Sequence, residues 1–458
     1  MPASRVTAIA LSFLLLASCA SLNYPVNTQL PVGHDAALSS IPDVGGDTAI
    51  ALSFSGGGTR AAAFAFGVLR GLDQVPTTGG RSDLDRVAFV SGVSGGSVTA
   101  AYFGLKGKAA LADFRERFLT QNAEETLSTS IDFKNIAAGL GGGVNDASKF
   151  PVWLDNNLFN EATMSDLIRP GNPIVWINAS DIFNRTPFVF SQVTFSALCS
   201  DLGTFPLSQA VAASAAVPVV FVPIVLENFS QGCIPSRSDW IDRVLADRSS
   251  GAQVRAFAQA LTRYRNHDQI RYLKLSDGGI TDNFGLSGLV IARAAASQPY
   301  APLTPDKAVQ LRRIVFVVVN AGQGPTGNWS RTLEGPSGAD LVNAVTDTAI
   351  NSAVRSGFDA FRFSMHEWES TIRKWRCALP SAESRRLGAK IDWRCSDIKF
   401  EITEVSFDRL HPLTAAKLST IRTRFRLSVE EVDLLIKSGA DEIHSDPVFS
   451  RNATGGRR

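Results

Sequence analysis

The chain alternates short apolar runs with longer stretches of small and apolar residues, and glycine clusters separate the two. Residues 48–54, 86–90 and 314–320 are nearly unbroken apolar runs, a pattern typical of strands buried on both faces of a sheet. Glycine-rich turns follow the first two runs, and the segments after them predict helices over 61–70 and 97–105. Strands that alternate with helices indicate a three-layer α/β/α fold with a mostly parallel central sheet.

The same pattern continues along the rest of the chain. Three shorter strands are expected over 174–178, 188–190 and 272–275, and one more helix is expected over 207–216. The character changes beyond about residue 330, where the pattern predicts a mixed extension with a helix over 341–361, a strand over 398–406 and one or two helices over 415–437.

These elements divide the chain into four parts. Residues 1–18 are expected to be a signal peptide, and residues 19–47 a flexible tether, because prolines and glycines recur there without periodicity. The main domain is predicted over 48–330. A C-terminal extension that packs on it is predicted over 331–458.

Composition narrows the possible function classes. The chain has 458 residues, of which 45% are hydrophobic, and its formal net charge is +2. This apolar fraction excludes general disorder. The balanced charge gives no electrostatic footprint for nucleic acid, so no nucleic-acid partner is expected.

The N-terminus has the features of an export signal. A short basic start is followed by an apolar stretch, Val6 to Ala17, that is too short to span a bilayer. The tetrad Leu16-Ala17-Ser18-Cys19 resembles the bacterial lipobox, which implies lipidation of Cys19 and a lipid-anchored, exported protein. Ala20 is not acidic, which favours the outer membrane. The alternative is an ordinary secretory signal with an incidental cysteine.

Four cysteines remain after Cys19. An even number suits an oxidising compartment, although four cysteines allow three pairings. Proximity in sequence favours Cys199 with Cys233 and Cys377 with Cys395. Buried free thiols are the alternative, and neither pair has the spacing of a zinc site.

The first motif with chemical content is Gly92-Val93-Ser94-Gly95-Gly96. It lies between a predicted strand and a predicted helix, the context of a nucleophile elbow, in which a serine sits on a tight turn. A polar turn residue without catalytic function is the alternative for Ser94.

A second glycine-rich turn reads Ser55-Gly56-Gly57-Gly58-Thr59-Arg60 and also joins a strand to a helix. Consecutive glycines allow backbone N–H groups to converge at a helix start, where they can hold a phosphate or an oxyanion. The turn is not a P-loop, because no Gly-Lys-Ser/Thr follows, and the spacing does not match a dinucleotide-binding fingerprint.

The third motif is Ser276-Asp277-Gly278-Gly279, which directly follows the strand predicted at 272–275. We expect Asp277 at the carboxyl end of a parallel strand, where open α/β sheets place functional groups. By itself, Asp-Gly is also a common turn signal.

Together these motifs closely resemble the patatin-like phospholipase family, over about residues 49–290. That family has a glycine-rich oxyanion motif, a GxSxG serine and an Asp-Gly-Gly or Asp-Gly-Ala in this order. Residues 213–218, Ala-Ser-Ala-Ala-Val-Pro, resemble its A-S-x-A-x-P block, and Asn283 also fits. Ala61 departs from the glycine that the family usually has there.

The resemblance implies a patatin-like fold and a phospholipase or esterase that needs no cofactor and no metal. It implies Ser94 as nucleophile, Asp277 as base, and an oxyanion hole formed by the loop from Gly56 to Arg60. The expected substrate is a phospholipid or another acyl-ester lipid.

Two alternatives remain open at this stage. The first is an α/β-hydrolase with a Ser-His-Asp triad, for which His366, His411 and His444 are the late histidines. The second is a lipoprotein without catalysis that binds a lipid or a partner.

Two segments could contact a lipid interface. Residues 239–266 combine apolar residues with five arginines, and Trp-Arg-Cys occurs at both 375–377 and 393–395. The alternatives are a solvated helical insertion for the first segment and a disulfide-closed loop packed on the body for the second.

Overall fold

The structure is a computed structural model of the chain. It describes these residues: 23–31, 46–77, 79–125, 148–169, 171–218, 220–231, 233, 239–324 and 329–454. The predicted signal peptide, Cys19 and most of the predicted tether lie outside the described residues.

One mixed sheet forms the centre of the molecule, and its longest strands are the apolar runs of the sequence. The strands are β1 Thr48–Phe54, β2 Val87–Val93, β3 Ile174–Asp181, β4 Thr186–Val189, β5 Ile224–Glu227, β6 Tyr272–Asp277, β7 Arg313–Asn320 and β8 Lys399–Ser406. Their order across the sheet is β5-β6-β3-β2-β1-β7-β8, and β4 pairs with β3. The five strands β3, β2, β1, β7 and β8 are mutually parallel. The predicted α/β fold with a mostly parallel sheet is confirmed.

Helices cover both faces of this sheet. In the main domain they are α1 Gly58–Gln74, α2 Gly95–Lys106, α3 Ala110–Phe114, α4 Lys149–Leu154, α5 Gln192–Ala197, α6 Leu207–Ser214, α7 Asp239–Ala246, α8 Ala252–Tyr264, α9 Gly279–Asp282, α10 Ser287–Ala295 and α11 Pro305–Gln310. In the extension they are α12 Gly338–Ala378, α13 Ser381–Arg386, α14 Pro412–Ser419, α15 Val429–Ser445 and α16 Pro447–Thr454. Across the described ranges, none of the helices combines the length and the apolar character needed to cross a bilayer.

The direction of β6 differs from our expectation. It is antiparallel to β3, with Ala179 opposite Asp277, and also antiparallel to β5. The pattern of apolar positions predicts a strand but cannot give its direction, which depends on the path of the chain between β5 and β6. Because β6 runs in the opposite direction to β3, Asp277 approaches the carboxyl edge of the sheet from outside that edge. It lies opposite Ala179, and the preceding residue, Asn178, pairs with Val93 next to Ser94.

The extension completes the main domain. Strand β8 pairs with β7 over its whole length, and α15 packs on α1 through glycines. A Cβ atom at Gly67 would lie 2.2 Å from the Ile436 carbonyl oxygen, and one at Gly439 would lie 2.4 Å from the Phe64 carbonyl oxygen. Helix backbones approach so closely only where side chains are absent.

Part of the predicted tether is packed on the body. The Val26 amide donates to the Val225 carbonyl at 3.2 Å, and the Leu30 amide donates to the Cys199 carbonyl at 2.8 Å. The Asn27 side chain donates to the Glu227 carbonyl and to Ser200. Residues 23–31 therefore run along β5, and our expectation of a free tether is wrong for this stretch.

The structure pairs the cysteines as sequence proximity favours. The Cα atoms of Cys199 and Cys233 lie 6.1 Å apart, and those of Cys377 and Cys395 lie 4.8 Å apart. Trp393 donates to the Val309 carbonyl and stacks on the buried Arg376 guanidinium. The second disulfide therefore closes a loop packed on the body. In 239–266, apolar residues of both helices are likewise buried, as in a helical insertion: Trp240, Ile241, Val244, Phe257, Leu261 and Tyr264.

Candidate active site at the carboxyl edge of the sheet

Ser94 occupies a strained turn between β2 and α2. Its backbone has φ +51° and ψ −124°, a conformation rare for a residue with a side chain and typical of a nucleophile elbow. Its amide donates to the Ser214 hydroxyl at 2.8 Å, and that hydroxyl donates to the Asn178 carbonyl at 2.6 Å. Ser214, from the Ala-Ser-Ala-Ala-Val-Pro block, therefore holds the turn in place.

The glycines of the two turns let their backbones touch. A Cβ at Gly95 would lie 1.9 Å from the Gly58 carbonyl oxygen, and one at Gly96 would lie 2.5 Å from the Ser55 carbonyl oxygen. A Cβ at Gly92 would lie 2.6 Å from the Gly96 carbonyl oxygen. Since a side chain at Gly95 or Gly96 would separate the two turns, these glycines bring the Gly56–Arg60 loop against the Ser94 turn, and Gly92 lets the Ser94 turn close on itself.

The amides of the Gly56–Arg60 loop fall into two groups. The Gly56 amide donates to the Asn283 carbonyl at 3.1 Å, and the Thr59 amide donates to the Arg424 carbonyl at 2.8 Å. Among the described residues no acceptor engages the amides of Gly57 and Gly58. Our expectation for Gly56 and Thr59 is therefore wrong, because neighbouring carbonyls already satisfy their amides. The amides of Gly57 and Gly58 remain available to a ligand.

Arg60 is buried, and its guanidinium lies against the loop backbone, since a Cβ at Gly57 would be 2.9 Å from Arg60 Nη2. Its Nε donates to the Ala321 carbonyl at 3.0 Å and its Nη1 donates to the Ile421 carbonyl at 2.6 Å. Burial lowers its pKa to about 10, and the charge of Asp347 partly opposes this shift. Arg60 thus ties the loop to the end of β7 and to the extension, and its expected role as an oxyanion donor stays a prediction.

Asp277 is the last residue of β6 and is buried, with 8% of its surface exposed. Burial raises the pKa of its carboxyl to about 6, and the hydrogen bond from the Gly279 amide at 2.8 Å and the nearby Ser94 hydroxyl oppose the rise. A carboxylate in this state is a stronger base than an ordinary aspartate but is still ionised at neutral pH.

Each of the two glycines after Asp277 is required by a different neighbour that leaves no room for a side chain. A Cβ at Gly278 would lie 2.2 Å from the Asn178 carbonyl oxygen, and one at Gly279 would lie 2.7 Å from the Asn283 side-chain oxygen. Asn283 also accepts the Gly56 amide through its backbone carbonyl. This residue therefore links the Asp277 turn to the Gly56–Arg60 loop.

Three features now coincide on a fold with a mostly parallel sheet: a strained serine, a buried aspartate beside it, and a glycine loop with two free amides. The family model described as patatin-like phospholipase matches residues 52–290. The chain belongs to this family. The resemblance that the motifs indicated is therefore confirmed, and with it the patatin fold.

Among solved structures, the chain is similar to human GIVD cytosolic phospholipase A2, with 13% identity and a TM-score of 0.32, over 59% of this chain and 45% of that one. It is also similar to VipD from Legionella pneumophila, with 13% identity and a TM-score of 0.31, over 94% of this chain and 71% of that one. The chain thus spans less than half the length of the human protein. A search of curated protein sequences gave no match.

The late histidines do not join this patatin-type site. His411 is exposed, and its Nδ1 accepts the Leu413 amide at the start of α14. His366 and His444 are exposed on α12 and α15. Within the part of the chain that the structure describes, no histidine bears on the Asp277 carboxyl. The described residues also contain no group of three His, Cys, Asp or Glu side chains placed to hold a metal.

Sequence reasoning missed the contribution of the extension to the site. Residues 421–425 lie outside the family match, yet they accept hydrogen bonds from Thr59 and Arg60. A Cβ at Gly58 would lie 2.5 Å from the Arg424 carbonyl oxygen. These contacts use backbone atoms, so no side-chain motif in the sequence could have revealed them.

Proposed function

We propose that the protein hydrolyses acyl ester bonds of phospholipids or related lipids through a Ser94–Asp277 dyad. Membership in the patatin-like phospholipase family supports hydrolysis of lipid esters. The observation that carries the dyad is the burial of Asp277 beside the Ser94 turn, where the Ser94 hydroxyl and the Gly279 amide act on a carboxyl whose pKa burial raises to about 6.

In the first half of the reaction, Ser94 Oγ attacks the ester carbonyl carbon and its proton passes to the Asp277 carboxylate. Negative charge moves to the former carbonyl oxygen, where the amides of Gly57 and Gly58 can donate to it. Preorganised donors of this kind each contribute about 3–4 kcal/mol in known hydrolases. The C–O bond to the alcohol then breaks, the alcohol leaves with the proton from Asp277, and an acyl-enzyme remains.

In the second half, water attacks the acyl-enzyme and gives its proton to Asp277. The tetrahedral intermediate collapses, Asp277 returns the proton to Ser94, and the fatty acid leaves. Each proton that Asp277 accepts is thus returned within the cycle. The chain's own residues suffice for these steps.

The experiment compares Ser94→Ala and Asp277→Asn with wild type on a short-chain nitrophenyl ester and on phospholipid vesicles. Two variants serve as matched controls. Ser384→Ala changes a buried serine on α13, and Asp166→Asn changes a carboxylate that accepts the Thr163 amide. We expect both site variants to lose hydrolysis of both substrates by roughly 1,000-fold or more, while both controls keep it.

Near-normal rates in Asp277→Asn would contradict the dyad. Loss of activity in His366→Gln, His411→Gln or His444→Gln would then favour the histidine triad. If the dyad is correct, we expect all three variants to be active. An inactive wild type, folded and tested on all substrates, would favour the alternative of a lipoprotein that binds a lipid or partner without catalysis.

We also propose that Cys19 is lipidated and that the protein is anchored at the outer membrane. This proposal depends on the lipobox-like tetrad at residues 16–19. Metabolic labelling with a radioactive fatty acid should mark the wild-type chain and not Cys19→Ser. Equal labelling of the two chains would contradict it.

A further inference from the structure

The turn between β3 and β4 exposes apolar side chains at the carboxyl side of the sheet. Ile182 is 44% exposed and Phe183 is 62% exposed. Beside them, at the start of β6, Tyr272 is 41% exposed. The Ile182 amide donates to the Lys274 carbonyl at 3.4 Å, which joins the two segments.

Cations lie beside Tyr272 and in the same turn as Ile182 and Phe183. The Arg271 guanidinium lies 5.3 Å from the centre of the Tyr272 ring, and the Lys274 ammonium lies 5.2 Å from it. Arg185, at the end of the turn, is also exposed. We call Ile182, Phe183, Arg185, Arg271, Tyr272 and Lys274 the hairpin-tip patch.

The acidic groups near the patch do not neutralise it. Asp181 is buried and accepts hydrogen bonds within the turn, and Glu227 lies opposite Tyr272 in the sheet. No carboxylate in the described ranges forms an ion pair with any of the three cations. The patch therefore combines three exposed apolar residues with a net positive charge.

The turn is rigidly held although its side chains are exposed. The Asp181 carboxylate accepts from the amides of Phe183 and Asn184 at 2.9 and 3.1 Å, and from the Tyr264 hydroxyl at 2.7 Å. Arg263 donates to the Asn184 side chain at 3.0 Å. A preformed surface loses little conformational entropy when it binds.

The patch lies on the same side of the sheet as Ser94. Asn178 pairs with Val93, directly before Ser94, and β3 runs on for three residues to Asp181. At about 3.3 Å per residue, the turn extends roughly 10–15 Å beyond the level of Ser94. A surface that touches the patch therefore faces the carboxyl edge of the sheet, where Ser94 and Asp277 lie.

We propose that the hairpin-tip patch docks on a bilayer containing anionic phospholipids. Apolar side chains enter the interfacial region and cations attract anionic headgroups, and membrane-surface helices use this same combination. The exposed apolar residues Leu341 and Val345 of α12 fit such a surface less well, because Asp340 and Asp347 flank them. Docking at the patch does not depend on the chemistry proposed above.

The test measures binding to vesicles with the chain from Ala20 onward, which keeps every described residue and lacks the lipid anchor. All samples carry Ser94→Ala so that the vesicles stay intact. Phosphatidylcholine vesicles with and without phosphatidylglycerol are sedimented with the protein. We expect binding that requires phosphatidylglycerol and weakens with salt.

Phe183→Ser should lower the binding constant roughly tenfold or more, because a phenylalanine side chain leaves the interface. Arg185→Gln and Lys274→Gln should each lower it about fivefold. Leu413→Ser, at a site 78% exposed on α14, and Arg385→Gln, exposed on α13, are the matched controls and should bind like the parent.

Equal loss in the control variants, or patch variants that bind like the parent, would overturn the proposal. Binding that ignores phosphatidylglycerol would overturn its electrostatic part. No vesicle binding at all would indicate that the patch contacts a protein instead. Because every sample lacks the Ser94 hydroxyl, none of these outcomes depends on whether the dyad is correct.

Discussion

The region that matches the family and the extension that follows it contribute differently to the candidate site. The family region carries Ser94, Asp277 and the free amides of Gly57 and Gly58, all on turns at strand ends. The extension contributes backbone carbonyls at Ile421 and Arg424 and a helix that contacts α1. In the proposed reaction the first region would supply the reactive groups, while the second holds the Gly56–Arg60 loop in place through backbone hydrogen bonds.

The largest effect is expected where the two regions are joined by a buried charge. Arg60→Met removes the hydrogen bonds to the carbonyls of Ala321 and Ile421. If the loop then shifts, its amides no longer face the oxyanion, which forms only in the transition state. We expect kcat on a nitrophenyl ester to fall roughly 100-fold or more with little change in KM.

Arg115→Met is the matched control for this change. Arg115 pairs with Asp433 at 2.7 Å and so also joins the main domain to the extension, but away from the loop. Its kcat should stay near that of wild type. A wild-type kcat in Arg60→Met would show that the loop keeps its position without the hydrogen bonds of the Arg60 side chain.

Within the family region, burial of the Asp277 carboxylate lowers the free energy of unfolding at neutral pH. The pKa of Asp277 is raised by burial from 3.8 to about 6, so the folded state binds its proton more tightly than the unfolded state. Stability is therefore lost as pH rises from about 4 to 6. At about 1.4 kcal/mol per tenfold change in proton affinity, the loss above pH 6 is about 3 kcal/mol.

Asp277→Asn should therefore raise the free energy of unfolding at pH 8 by about 2–3 kcal/mol, because a neutral side chain avoids this cost. Urea unfolding at several pH values should show the gain shrink between pH 6 and pH 4. Asp166→Asn should show the opposite sign, because hydrogen bonds from the Thr163 backbone lower the pKa of Asp166. A pH-independent difference for Asp277→Asn would contradict the assignment of the elevated pKa.

Close packing between the regions gives the next prediction. Gly439→Ala would place a methyl group 2.4 Å from the Phe64 carbonyl oxygen, so α15 and α1 must separate. We expect the free energy of unfolding to fall by about 1–3 kcal/mol. Gly357→Ala on α12 meets open space and should raise it by about 0.5–1 kcal/mol. Equal effects would show that the contact between the two helices is unimportant.

The elements that could be predicted are those whose signal is local. Strands β1, β2 and β7 are largely apolar runs, and the turns at Ser94 and Asp277 have glycines where neighbouring atoms leave no room for a Cβ. The direction of β6, the packing of 23–31 and the carbonyls of 421–425 depend on contacts distant in sequence. Local patterns contain no information about such contacts, so these features required the structure.

The smallest effect is expected at Glu124, which contacts residues 421–425 of the extension. Glu124 Oε1 accepts the Phe425 amide at 2.6 Å, and Phe425 packs against Phe150 with ring centres 4.7 Å apart. Glu124→Ala removes one of several contacts that hold residues 421–425. Thr59 and Arg60 still donate hydrogen bonds to the carbonyls of Arg424 and Ile421. We therefore expect kcat to fall about threefold to tenfold, equivalent to about 1 kcal/mol.

Glu124→Gln keeps an oxygen acceptor and should recover most of the lost activity. Asp433→Ala breaks the remote ion pair with Arg115, so it should affect unfolding and leave kcat unchanged. This pair of variants separates two roles of the extension, since a general loss of stability would affect both alanine variants alike. If residues 421–425 position the Gly57 and Gly58 amides, kcat should fall in Glu124→Ala and stay unchanged in Asp433→Ala.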